Sequence, residues 1–368
     1  MQDFLVCDIF GYMENKYIGP GAKDLTTEEI KNFETKRGIV SIKKHPSEFK
    51  KTREEKELIN SVAEVLYSEM RSLGLEPKPF PLKALHLLPK HFYWYPGLKN
   101  PARGSYSASE DRIELDISRK EQDKNRPNIL KRALDYIHQL VHVAPISYLS
   151  DKKGDARVLF HELIHSQSKV GFYVNEEREV DSYKSGFSTS KKEDMTENKM
   201  NMHFFGLNEA VTDKLARELL LKNHEKIFTK KEFEGMELFI IKQIVVHGYT
   251  DYIVVLDKII NTIAEFEYKE PSEVWNDIKK KYFKGELMYF RKIEDMFGIG
   301  SLRVLAAMDK TNKTSKNNSE KQLKIEKYFS SGTTFAERER LAKEILDESE
   351  YGRFERHQQI INARDKFL

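Results

Sequence analysis

The chain reads as an α+β protein in which a small, mostly antiparallel sheet leads into a mainly helical C-terminal half. Two observations predict this. Short apolar runs, alternating or bounded by prolines, cluster between about residues 80 and 118, whereas the later segments place apolar residues at helical spacing. With 368 residues, 39% hydrophobic and 11% aromatic, the chain can bury a sizeable core without staples.

Residues 1–46 mix Gly, Pro and charge and read as an irregular extension with one short helix and no chemistry. The main domain is expected over 47–265. It opens with an amphipathic helix from about Pro46 to Leu73, in which Leu58, Val62, Val65, Leu66 and Leu73 share a face and Gly74 stands at the C-terminal cap. The prolines of "EPKPFPLK" forbid a long helix and leave room for a strand at Lys83 to Leu88. "RGSYSASEDRIELDI" predicts a hairpin: a strand around Gly104 to Ser107, a polar turn, then Ile113, Leu115 and Ile117 alternating with Glu114 and Asp116. Residues 120–149 read as mostly helical.

A helix follows over about 155–169, with Asp155 as its N-cap and Leu159, Phe160, Leu163 and Ile164 covering most of its circumference. "YKSGFSTS" is a possible strand. The next helix spans about 208–223, with Asn208 as the expected N-cap. Residues 266–310 continue as a helical C-terminal part, and 311–368 reads as a polar Lys-, Asn- and Ser-rich linker before a charged helical tail.

Bulk charge excludes some partners. The 62 basic and 59 acidic side chains leave a formal charge of +3, which gives no electrostatic case for nucleic acid or an anionic membrane. The apolar window "LFIIKQIVVHGYTDYIVVLDKII" is interrupted by Lys242, His247 and Asp251 and is too broken to span a bilayer. A single cysteine, Cys7, precludes an internal disulfide, and the N-terminus shows no secretory pattern, so a cytoplasmic location is expected.

The chemistry concentrates in "ARVLFHELIHSQSKV". His161 and His165 stand four apart, about 40° around a helix from one another, so both imidazoles can reach one ion. Downstream, "LNEAVTD" sets Glu209 and Asp213 on one face of a second helix by the same spacing. Two imidazoles and one carboxylate leave the fourth tetrahedral position of zinc open to water, the arrangement of a catalytic site. Glu162 is turned about 100° from His161, toward that water and not the metal, where a general base belongs. Tyr249, in "VVHGYTDY" with His247 and Tyr252, is the candidate donor to an oxyanion.

This set of residues, in this order, resembles the gluzincin metallopeptidases, the thermolysin-like superfamily in its minimal single-domain form. The resemblance is carried by His161-Glu162-x-x-His165 and by Glu209 with Asp213, and covers residues 80–215 most securely. It implies a zincin-like fold, a sheet packed on the active-site helix, and a peptide or protein as substrate. It implies Zn2+ on His161, His165 and Glu209, hydrolysis by a zinc-bound water activated by Glu162, and Asp213 orienting a ligand histidine from behind. The edge strand that aligns the substrate backbone in this family falls within "GSYSASEDRIELDI".

Two other readings compete. A catalytically silent zincin-fold binding or regulatory module would carry the same ligands. A di-iron carboxylate protein would use Glu162-x-x-His165, but needs the motif twice, and no other histidine has a glutamate three residues before it. His138 and His142, also four apart, have Gln139 in place of the glutamate and read as ordinary histidines. Gly298-x-Gly300 reads as a turn.

Overall fold

The computed structural model describes residues 17–43, 48, 50–88, 104–108, 110–116, 151–190, 202–228, 249–311, 316–348, 351–352 and 355. In chain order the strands are β1 (Tyr17–Ile18), β2 (Leu85–Leu88), β3 (Gly104–Ser107), β4 (Arg112–Asp116), β5 (Val170–Val174), β6 (Val180–Ser185), β7 (Ser188–Ser190) and β8 (Met202–His203). The principal helices are α1 (Thr27–Ile42), α2 (Arg53–Ser72), α3 (Asp151–Gln167), α4 (Phe205–Lys222), α5 (His224–Ile227), α6 (Thr250–Glu267), α7 (Pro271–Lys284), α8 (Ile293–Phe297), α9 (Ser301–Ala306), α10 (Lys316–Tyr328) and α11 (Phe335–Ile345). The protein is α+β, as the sequence predicts. The helix expected over 120–149 lies outside the described residues.

The chain divides into two compact units, one of residues 28–166 and 216–247, the other of 1–27, 167–215 and 248–368. In the first, α2 starts at a reciprocal cap: the Glu55 amide donates to the Thr52 hydroxyl at 3.2 Å while the Thr52 amide donates to the Glu55 carboxylate at 2.8 Å. Leu58, Ile59, Val62, Val65, Leu66 and Met70 form its buried stripe, and Gly74 ends it at φ +72°. The predicted amphipathic helix is therefore present.

The three-stranded sheet has the order β2-β4-β3. The predicted hairpin is there, with β3 antiparallel to β4 and Tyr106 opposite Ile113. β2 lies parallel to β4, Leu85 beside Ile113 and Leu87 beside Leu115, so these four apolar residues form one buried face. The expected strand start at Lys83 shifts to Leu85, because Leu82–Ala84 form a 3-10 turn. The helix expected as short in the N-terminal stretch is the 16-residue α1.

The second unit holds a five-stranded sheet, β1-β5-β6-β7-β8, parallel at β1–β5 and antiparallel elsewhere. The single possible strand at "YKSGFSTS" is two strands, β6 and β7, joined at Gly186. β5 (VGFYV) is buried at every position, and such a short continuous apolar run directly after a helix carries no period that marks it as a strand. Phe187 of the turn packs edge-on against Tyr282 and Phe290, at centroid distances of 5.3 and 5.2 Å. The stretch expected as a polar linker and charged helical tail holds two helices with a buried apolar side: Ile325, Tyr328, Phe329, Leu341, Ala342 and Ile345 are buried. Its Lys and Glu residues, such as Lys324 between Glu320 and Glu344, occupy the outer faces and hide that apolar stripe in the composition.

A buried polar cluster lies inside the first unit. His86 of β2 is fully buried, its Nε2 3.0 Å from the Ser41 carbonyl and its Nδ1 2.9 Å from Glu48, which also pairs with Lys51 at 2.8 Å. A carbonyl only accepts, so Nε2 carries a proton. Burial by itself would raise the Glu48 carboxyl, but the hydrogen bonds and charges of Lys51 and His86 together outweigh it and hold the group below its ordinary value. Stability from a lowered carboxyl is complete above the unfolded value of about 4.3 and is lost as pH falls through the folded one. Glu48→Gln is expected to cost about 1–3 kcal/mol at pH 7. In urea unfolding the gap from wild type should close in acid; a gap independent of pH would contradict the assignment.

Candidate metal centre

The histidine helix α3 begins at Asp151, so Asp155 lies inside it and is not its cap. Ala156, Leu159, Phe160, Leu163 and Ile164 are all essentially removed from solvent, as the predicted apolar circumference requires. Between them emerge half-buried His161, Glu162 at 6% exposure and His165 at 9%.

The glutamate helix α4 also starts earlier than expected. Phe204, at φ +61°, accepts the Asn208 amide at 2.9 Å, and the Gly206 amide donates to the Asp309 carboxylate at 2.8 Å. The capping acceptor thus comes from far along the chain, and Asn208 is not the N-cap but an interior residue. Sequence-local rules have no access to such a partner. From Leu207 through Asp213 every residue is buried, Asp213 completely.

Asn208 and Thr212 were missed as site-supporting residues. The Asn208 side-chain oxygen accepts the amides of Phe187 at 2.9 Å and Ser188 at 3.3 Å, which fastens the β6–β7 turn to the helix. Thr212 donates to the Asn208 carbonyl at 2.9 Å, and its hydroxyl lies 2.8 Å from that of Tyr282. Gly186 at φ +57° closes this arrangement: a Cβ there would stand 2.6 Å from the Asn208 oxygen and 2.7 Å from the Tyr282 ring. The available signal was the spacing itself. Asn208 and Thr212 repeat the interval of Glu209 and Asp213 one residue earlier, which sets a second polar stripe about 100° around the helix.

His161 and His165 meet through their Nε2 atoms, 3.1 Å apart, with the rings at 76°. His161, His165 and Glu209 each offer a ligand atom, and these lie within 4.8 Å of one another, the one such group of three among the described residues. Two nitrogens bound at about 2.0–2.1 Å to a tetrahedral ion stand roughly 3.3 Å apart, close to the separation found here. The donor set of two imidazoles and a carboxylate suits zinc in an open site. A di-iron centre, which needs carboxylates from four helices, has no counterpart among the described residues.

Tyr249, the candidate oxyanion donor, precedes α6 and stacks on Tyr252 with centroids 5.8 Å apart. His138, His142 and His247 lie outside the described residues, and Gly298 and Gly300 form a turn with positive φ. No helix among the described residues is long and apolar enough to cross a membrane. Comparison with protein-family models, with curated proteins and with solved structures finds no match to this chain.

Replacing Asn208 with Ala would leave two buried amides without their acceptor. The expected loss is about 1–3 kcal/mol of unfolding free energy, measured by urea denaturation in metal-free buffer. An unchanged midpoint would show that the turn holds without Asn208.

Proposed function

We propose that the chain is a zinc-dependent peptidase of gluzincin type. The observation that carries this reading is the convergence of His161, His165 and Glu209 from two helices, with buried Glu162 beside the first ligand. His161 and His165 would hold the ion through Nε2, and Glu209 through a carboxylate oxygen. When bound, zinc supplies a Lewis acid that polarises the scissile carbonyl and lowers the pKa of water.

Glu162 is the proton carrier in this mechanism. Its carboxylate takes a proton from the attacking water and returns it to the leaving amine, so one residue serves as base and then as acid. Asp213, fully buried one turn beyond Glu209, accepts the remaining N–H of a ligand histidine, which fixes that ring's tautomer and strengthens it as a ligand. β3, at an edge of the three-stranded sheet, receives an extended substrate by main-chain hydrogen bonds. Tyr249 donates to the oxyanion of the tetrahedral intermediate.

Elemental analysis should find one zinc per chain, lost in His165→Ala. In a zinc titration Asp213→Ala should weaken affinity by about 10–100-fold. Full zinc in the histidine variant would exclude this ligand set.

The enzymatic reading is tested separately. Glu162→Gln should retain zinc yet lose hydrolysis of a peptide library by orders of magnitude. An active Glu162→Gln protein would reject the mechanism. A zinc-loaded wild type that cleaves nothing would favour the silent binding module.

A further inference from the structure

Helix α1 belongs to the stretch expected to carry no chemistry, yet it holds the three-stranded sheet at both of its edges. On the β3 side, Arg37 donates from Nε at 3.1 Å and from Nη2 at 2.8 Å to the carbonyl of Ala108, the residue directly after β3. The same Nη2 lies 3.2 Å from the Asp111 carboxylate and 3.4 Å from the Tyr106 hydroxyl, which itself donates to Asp111 at 2.7 Å. On the β2 side, the buried His86 ring donates to the Ser41 carbonyl in the last turn of α1.

The Arg37 contacts all fall on β3 and the turn between β3 and β4. Asp111 sits at φ +51°, a left-handed conformation that costs energy for a residue with a Cβ, though less for aspartate than for most, and that an external constraint favours. The guanidinium fork supplies that constraint, with its side chain only 13% exposed and so little screened by water. β3 is four residues long and pairs only with β4 among the described residues. A short edge strand of this kind frays unless its ends are held.

We propose that α1 is a brace for the substrate-aligning strand and that Arg37 is a positioning residue for peptide binding. By pinning Ala108 and Asp111 it keeps β3 in one extended conformation, ready to pair with a peptide main chain. This rests on the peptidase reading, with β3 as the aligning strand. A substrate that binds only the ordered strand has its apparent affinity reduced by the fraction of molecules in which the strand is ordered.

The test uses the full-length, zinc-loaded protein with Arg37→Ala and Arg37→Lys, the latter keeping the charge without the fork. Hydrogen exchange followed by mass spectrometry should quicken in residues 104–112 of Arg37→Ala and stay unchanged in α2. Peptide KM should rise about tenfold, as for a tenfold fall in the ordered fraction. kcat and zinc content should stay at wild-type level, with Arg37→Lys intermediate. Unchanged exchange at 104–112, or a fall in kcat with KM unaltered, would overturn the proposal. Should Arg37→Ala fail to fold, the lysine variant decides by the same readouts. Should the wild type cleave no peptide, the peptidase reading fails on its own, and hydrogen exchange still decides whether Arg37 orders the strand.

Discussion

Two imidazole nitrogens 3.1 Å apart cannot both turn lone pairs toward each other, so a proton or a cation has to lie between them. The surrounding architecture maintains that demand. Burial of Leu159, Phe160, Leu163 and Ile164 fixes the rotation of α3, and with it the direction in which both rings leave the helix. Because both rings stand on the same helix, only a change of side-chain rotamer could separate them. One ring's N–H or a cation satisfies the pair equally, and Glu209 is near enough to offer a third ligand atom.

α4 carries two polar stripes and almost no exposed surface. Glu209 and Asp213 make one, and Asn208 and Thr212 make the other. Buried polar groups are stable only when bonded, and the second stripe meets this with the amides of the β6–β7 turn and the Tyr282 hydroxyl. Asn208 and Thr212, which hold the fold, therefore alternate with Glu209 and Asp213 within six residues of one helix. Changes in one stripe are expected to be felt in the other, since both share one backbone.

Local patterns were legible in the sequence. The i, i+4 pairs in α3 and α4, the apolar stripe of α2 with Gly74 after it, and the β3–β4 hairpin all follow from periods that two or three turns of chain make visible. What lay hidden depended on distant partners. Asn208 looked like a cap because nothing nearby reveals the Asp309 carboxylate that serves α4 instead. β5 was hidden because its burial on both faces erases the alternation that marks a strand. The packing of α10 and α11 was masked by charge on their outer faces, and α1 looked idle because Arg37 finds its partners about 70 residues away.

The Asp309 cap also bears on the order in which the molecule is made. Gly206 and Asp309 are separated by 103 positions. A ribosome adding about 5–20 residues per second needs roughly 5–20 s to cover that interval. Throughout it, the helix that carries Glu209 exists without the carboxylate that closes its first turn. The nascent glutamate helix is thus exposed for far longer than a helix takes to form, and its completion waits on translation and not on its own folding rate.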